Sequence, residues 1–131
     1  MRFIDSNIFV YHMADDPTYG GVASRIIERI EKGEEAATST LVISQVCSYL
    51  KRPDVIPAFL DFLRSLPNLI KIETTFMDVL QAQELLTKHD LDWKLWDDLI
   101  IAIQMKRLKI SEIYSNDSDF DTIPGVKRIF K

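Results

Sequence analysis

Three separated aspartates in this 131-residue chain each lie where an apolar, foldable segment begins or ends. Asp5 follows one such segment, Asp97 opens the next, and Asp117 follows a third. Two carboxylates about 4 Å apart repel each other by roughly 4 kcal/mol at an effective dielectric constant near 20. If the three acids converge, they require a shared proton or a cation, and oxygen-only ligands favour Mg²⁺ or Mn²⁺ over zinc. The pattern predicts a hard-cation site.

The composition is that of an ordinary globular protein, with 47% hydrophobic and 27% charged residues. The length predicts a single domain over residues 1–131, large enough to bury one core. Cys47 is the only cysteine, which excludes an internal disulfide framework and a cysteine-based zinc site.

The chain contains no apolar run near the roughly 18 residues that a membrane span needs. Its first residues also lack the apolar core of a signal peptide, so we expect a cytoplasmic protein with no membrane association. The net charge of −4 argues against broad, non-specific binding of polyanions. It leaves nucleic acid open as a partner, because an acidic metal site can coexist with a local basic rim.

Strand-like and helix-like patterns alternate along the chain. Strands are predicted at residues 2–5, 36–38, 69–73, 113–115 and 126–130. Helices are predicted at residues 22–30, 39–50 with Ser39 as the N-cap, 55–66, 75–88 and 96–108. This alternation predicts an α/β fold, a three-layer α/β/α sandwich with a mostly parallel central sheet and right-handed crossovers.

That architecture brings the three aspartates to one end of the sheet. Asp5 and Asp117 both follow strands, so both are expected at the carboxyl edge, where open α/β folds bind ligands. Asp97 lies near the start of a helix, and its neighbour Asp98 is expected to point elsewhere around that helix. Each acid alone is more typical of a turn or a helix cap. Three acids at one edge together favour a shared metal site.

The ordered motifs Phe3-Ile4-Asp5-Ser6-Asn7, Asp97-Asp98-Leu99-Ile100-Ile101-Ala102 and Ser115-Asn116-Asp117-Ser118-Asp119-Phe120 resemble those of a PIN domain. The resemblance covers the full length of the chain. It implies a flavodoxin-like or Rossmann-like sandwich and a metal-dependent ribonuclease, similar to VapC-type toxins of toxin–antitoxin operons. It also implies an RNA substrate, a possible antitoxin partner and a homodimer.

Carried over by position, the resemblance assigns catalytic roles to Asp5, Asp97 and Asp117, as the first, third and fourth acids of the family. These three, with Asp119 as a trailing acid nearer the rim, are the expected ligands of Mg²⁺ or Mn²⁺.

Three polar residues are expected to support these acids. Ser115 matches the family's Thr or Ser, which steadies the pocket by hydrogen bonding, and Asn7 matches a small polar residue that supports the turn around Asp5. Gln45 stands where the family usually has a glutamate, and it would orient ligands or the attacking water.

Gln45 leaves a second interpretation open, because glutamine keeps a carbonyl oxygen but loses the negative charge. The alternative is a catalytically weakened PIN-like module that binds RNA or a protein partner. A carboxylate-based phosphatase is a third possibility. Against it, Asp5-Ser6-Asn7 lacks the second acid of an Asp-x-Asp nucleophile pair.

Overall fold

A computed structural model describes all residues from 1 to 131 and contains five β-strands and six α-helices. The strands are β1 (Arg2–Ile4), β2 (Ala36–Ser39), β3 (Leu69–Ile72), β4 (Glu112–Tyr114) and β5 (Lys127–Ile129). The helices are α1 (Ser6–Met13), α2 (Gly20–Glu31), α3 (Thr40–Leu50), α4 (Ile56–Arg64), α5 (Phe76–Lys88) and α6 (Trp96–Arg107). Two short 3₁₀ turns cover Trp93–Leu95 and Ser118–Thr122.

The strands form one parallel sheet in the order β3-β2-β1-β4-β5. From β1 the chain first adds strands on one side and then returns to add β4 and β5 on the other. With right-handed crossovers, this order places α1 to α4 on one face of the sheet and α5 and α6 on the other. The predicted three-layer α/β/α sandwich is confirmed, and its switch in direction lies between β1 and β4.

The core packs the central strand against helices of both layers. Phe3 and Ile4 of β1 are fully buried, as are Leu99 and Ile101 of α6. Every residue from Leu99 to Met105 is buried, which explains why the sequence of α6 is apolar almost all round. None of the helices combines the length and apolar character required to cross a membrane.

Helix α3 begins where it was predicted, but its cap differs from the prediction. Ser39 occupies the N-cap position, yet its side chain makes no capping hydrogen bond and its hydroxyl is buried without a partner. Instead, the hydroxyl of Thr74, from the loop after β3, accepts a hydrogen bond from the Leu41 amide at 3.1 Å. The first turn of α3 is thus satisfied from outside the helix.

A buried polar network joins α5 to α6. Asp78 is only 2% exposed and accepts hydrogen bonds from the Arg107 guanidinium at 2.8 Å and the Gln104 amide at 3.3 Å. It also accepts a bond from the Thr75 backbone amide, completing a capping box at the start of α5. Burial acts to raise the pKa of Asp78, but these hydrogen bonds outweigh it and lower the pKa. The network fixes α6, whose first turn reaches the carboxyl edge of the sheet.

Candidate active site

A polar cleft of about 350 Å³ opens at the carboxyl edge of the sheet, where the neighbouring strands β1 and β4 end. Acidic side chains dominate it, and histidine and cysteine are absent from its walls. Its lining residues are Asp5, Ser6, Asn7, Gln45, Tyr49, Lys94, Trp96, Asp97, Asp98, Asp117 and Asp119. The predicted acids at residues 5, 97, 117 and 119 therefore meet in one cleft.

Asp5 is the deepest of the acids, with only 4% of its surface exposed. It links β1 to α1 and caps that helix, because its Oδ1 accepts the Ser6 amide at 2.7 Å. Burial raises the pKa of Asp5, while hydrogen bonds from Ser115 and Ser6 oppose that increase. The negative charge of Asp117 raises it further. Asp5 is thus a buried carboxylate with other acids near it.

Ser115 lies beneath the cleft and ties the ends of β1 and β4 together. Its hydroxyl donates to Asp5 Oδ2 at 2.7 Å and accepts the Asp117 amide and the Asn7 side-chain amide, each at 3.0 Å. Asn7 also donates to Asp5 Oδ2 at 3.0 Å and accepts the backbone amide of Asn116 at 3.2 Å. Both residues lie where the sequence leads us to expect them, Asn7 at the turn after Asp5 and Ser115 below the pocket.

Asp98 faces the cleft, so the expectation that it would point elsewhere around its helix is wrong. Carboxylate oxygens of Asp98, Asp117 and Asp119 lie within 4.8 Å of one another. Burial, and then the charges of Asp5 and Asp117, raise the pKa of Asp98 to about 8. No hydrogen-bond donor contacts the Asp98 carboxylate. Asp97 and Asp98, adjacent residues in the first turn of α6, therefore both line the cleft.

Asp97 lies at the exposed side of the same cleft. Its Oδ2 accepts a hydrogen bond of 2.9 Å from the side-chain amide of Gln45 on α3. Asp97, the predicted third acid, is therefore in direct contact with Gln45, the residue that departs from the family pattern.

The cleft carries one basic side chain among its lining residues. Lys94, in the 3₁₀ turn before α6, approaches Asp119 with 3.6 Å between Nζ and Oδ1. The lysine side chain is 62% exposed, so solvent screens this pair strongly. One solvent-screened cation does not balance the charge of five aspartates.

Tyr49 also lines the cleft, and sequence reasoning assigned it no role. Its ring lies one helical turn beyond Gln45 on α3, and the spacing of four residues was the signal that both share a face. Trp93 is 71% exposed, and its ring lies 5.9 Å from that of Trp96. Aromatic surface therefore borders the acidic cleft.

The donor set fits a hard divalent cation. All the clustered donors are carboxylate oxygens, which Mg²⁺ and Mn²⁺ prefer and which form no nitrogen or sulfur site for zinc. The pKa of Asp98, raised to about 8, is the physical sign that this cluster of negative charge lacks compensation from the protein itself.

Comparisons with known proteins identify the family of this chain. The PIN domain family matches residues 2–126. Ribonuclease VapC13 of Mycobacterium tuberculosis is 31% identical over 134 residues, covering 98% of this chain and 99% of the relative. A second relative from Mycobacterium bovis, named as a VapC ribonuclease, is equally similar.

Solved structures give the same fold at lower sequence identity. VapC20 of M. tuberculosis, described as a sarcin–ricin loop cleaving toxin, superimposes with a TM-score of 0.77 at 21% identity and covers 95% of each chain. VapBC2 of Rickettsia felis, solved with a DNA fragment from its promoter, gives 0.71 at 22% identity and covers 98% of this chain and 96% of that one. With the family matched from residue 2 to residue 126 and full-length relatives above 30% identity, the chain belongs to the PIN domain family.

Proposed function

We propose that this protein is a ribonuclease that requires Mg²⁺ or Mn²⁺ and hydrolyses phosphodiester bonds of RNA. The observation that carries the proposal is the cluster of Asp98, Asp117 and Asp119, whose oxygens lie within 4.8 Å of one another beside the buried Asp5. Its full-length relatives are named as ribonucleases, which supports the same activity here.

A divalent cation supplies charge neutralisation at the phosphorus and a nucleophile at neutral pH. Asp98, Asp117 and Asp119 would hold it, and the buried carboxylate of Asp5 lines the same cleft. Ser115 and Asn7 fix the rotamer of Asp5 through two hydrogen bonds to its Oδ2. These bonds keep the acid in position before substrate arrives, which is how preorganised sites lower a barrier.

Residues in the wall of the cleft and at its border indicate how RNA would lie. Lys94 is placed to contact a backbone phosphate, and the exposed rings of Tyr49 and Trp93 are suited to stack on unpaired bases. Cleavage would leave a 5′-phosphate and a 3′-hydroxyl.

We also propose that the protein is the toxin of a VapBC-type pair, acting in the cytoplasm as a homodimer and controlled by an antitoxin. Support comes from full-length relatives named as VapC ribonucleases and from fold neighbours solved as VapBC or toxin–antitoxin complexes. Expression of the protein alone should arrest growth, and co-expression of a cognate antitoxin should relieve that arrest.

The test is cleavage of a single-stranded RNA by the purified protein with Mg²⁺, with Mn²⁺ and with EDTA. We expect cleavage with either metal, none with EDTA, and a loss of at least about 100-fold in Asp117→Asn, since one ligand charge is removed. The matched control is Asp61→Asn, an exposed acid on α4 paired with Arg64. Metal-independent cleavage, or full activity in Asp117→Asn, would contradict the proposal.

The hydrogen bond from Gln45 favours a second candidate function, a weakened PIN-like binding module, because it places an uncharged residue inside the acidic cleft. A weakened PIN-like module would bind RNA without cutting it under any metal condition. A binding assay run on the same RNA in parallel distinguishes this outcome from an inactive preparation.

A further inference from the structure

The contact between Gln45 and Asp97 spans the cleft and joins two layers of secondary structure. Gln45 extends from the middle of α3, and Asp97 lies in the first turn of α6. The amide of Gln45 donates to the carboxylate of Asp97 at 2.9 Å, a good distance for a bond to a charged acceptor. This side-chain bond joins α3 directly to α6 at the mouth of the cleft.

The two sides of the cleft differ in how their acids are satisfied. Asp97 has an amide donor, and Asp5 accepts hydrogen bonds from Ser6, Asn7 and Ser115. Asp98 has no hydrogen-bond donor, and its carboxylate oxygens lie within 4.8 Å of those of Asp117 and Asp119. The closest cluster of carboxylate oxygens, and so the strongest need for a cation, is at Asp98, Asp117 and Asp119, while Asp97 has a hydrogen-bond donor in Gln45.

A carboxylate in place of the Gln45 amide would face Asp97 at about the same separation. Two anions at hydrogen-bond distance repel, and in a cleft already lined by five aspartates no nearby lysine or arginine could separate them, since Lys94 contacts Asp119. Such a pair would require a cation between its members. The Gln45 amide instead donates its own N–H to Asp97 at this distance, so no cation is needed between the two side chains.

We propose that Gln45 is a positioning residue whose hydrogen bond to Asp97 takes the place of a cation, so that the cleft binds one divalent ion per chain. That ion lies at the Asp98, Asp117 and Asp119 cluster. The inference rests on the metal site proposed above, and it explains how α3 and α6 stay together at the mouth of the cleft before metal binds.

The test compares Gln45→Glu with Gln83→Glu. Gln83 is an exposed residue of α5 whose amide donates to Thr87, so both variants change a hydrogen-bonded glutamine into an isosteric acid and add the same charge. Gln45→Ala removes the donor without adding charge. Each protein is stripped of metal, titrated with Mn²⁺ by calorimetry, and melted with EDTA and with excess Mn²⁺.

The wild type and Gln83→Glu should bind one Mn²⁺ per chain and melt at similar temperatures in EDTA. Gln45→Glu should melt at least about 3 °C lower in EDTA, regain that loss with Mn²⁺, and bind either a second ion or the first about tenfold more tightly. Gln45→Ala should lose some melting temperature and keep one ion, because it creates no new anionic ligand.

Two Mn²⁺ ions in the wild type would overturn the inference, as would a Gln45→Glu protein that matches the wild type in both stoichiometry and melting temperature. If the wild type binds no Mn²⁺ at all, the proposed metal site itself fails. The melting temperatures in EDTA then still report on the hydrogen bond alone, so the two failures are distinguishable.

Discussion

Strands β1 and β4 have one charged cluster at their amino ends and another at their carboxyl ends. The two clusters differ in how their charges are balanced. At the amino end, Arg2 of β1 contacts Glu34 and Glu112, each at 3.2 Å. Its guanidinium also donates to the Tyr114 hydroxyl at 2.7 Å and lies over that ring at 5.1 Å. At the carboxyl end, Asp5 and its neighbours form a cleft with five aspartates and a single lysine.

The pKa values reveal what each cluster contributes. Hydrogen bonding to Tyr114, with further help from Glu112, raises the pKa of Arg2, so the folded protein stabilises its charged form. Burial and like charges raise the pKa of Asp98 to about 8, so the folded protein destabilises the charged form there. A cluster that lowers the stability of its own ions is typical of a functional site, and a compensated one is typical of a structural contact.

The largest expected difference between the two ends is in catalysis. Asp98→Asn should reduce RNA cleavage at least about 100-fold, or about 2.7 kcal/mol in barrier height, because it removes a charge from the cluster that would hold the cation. Glu112→Gln, the matched removal of a carboxylate at the amino end, should leave the rate within about twofold. Initial rates at saturating Mn²⁺ measure both, and equal losses in the two variants would erase the distinction.

The next effect is on stability without metal. Because the pKa of Asp98 is about 8 in the folded chain and near 3.8 in the unfolded chain, folding takes up a proton between those values. Stability is therefore greatest at the acidic end of this window and declines as the pH rises towards 8. After allowance for solvent screening, the decline should be about 1–2 kcal/mol.

Thermal melts in EDTA from pH 5 to pH 8 test this decline. Asp98→Asn, which cannot ionise, should flatten the dependence and melt higher at pH 8. A wild-type melting temperature that rises over this range would show that the carboxyl end is compensated after all.

The smallest effect belongs to the amino end. Arg2→Met keeps an apolar stem but leaves Glu34 and Glu112 without their shared cation, and should cost about 1 kcal/mol in unfolding free energy. Cleavage should remain within about twofold, because the change lies at the far end of the strands. Urea unfolding measures the loss, and a large catalytic defect in this variant would argue against separate roles for the two ends.

The sequence predicted the layers and the convergence of the acids because both follow from periodicity and from strand direction. Asp5 and Asp117 had to share an edge once β1 and β4 were parallel. The orientation of Asp98 was predicted wrongly. The position of a residue in a helix gives the angle of its side chain around the helix axis, but it does not tell which part of the helix surface faces the cleft. Asp97 and Asp98, both in the first turn of α6, line the cleft together.

Long-range hydrogen bonds were beyond sequence reasoning for a different reason. Gln45 and Asp97 are 52 positions apart, and Asp78 and Arg107 are 29 apart. Each such pair depends on the packing of whole helices, which no local pattern encodes. The hydroxyl of Thr74 takes over the role expected of the Ser39 side chain for the same reason, since the loop after β3 lies against the start of α3.

The single-residue connection at Asp5 restricts how this molecule can be altered. Strand β1 ends at Ile4 and α1 begins at Ser6, so one side chain closes the helix and faces the cleft at once. An extra amino acid at this junction would shift Asp5 out of the N-cap position of α1. The same shift would move its carboxylate away from the other acids of the cleft. Insertions, tags and circular permutations should therefore be tolerated in the loop around residues 51–55 and rejected between strand β1 and helix α1.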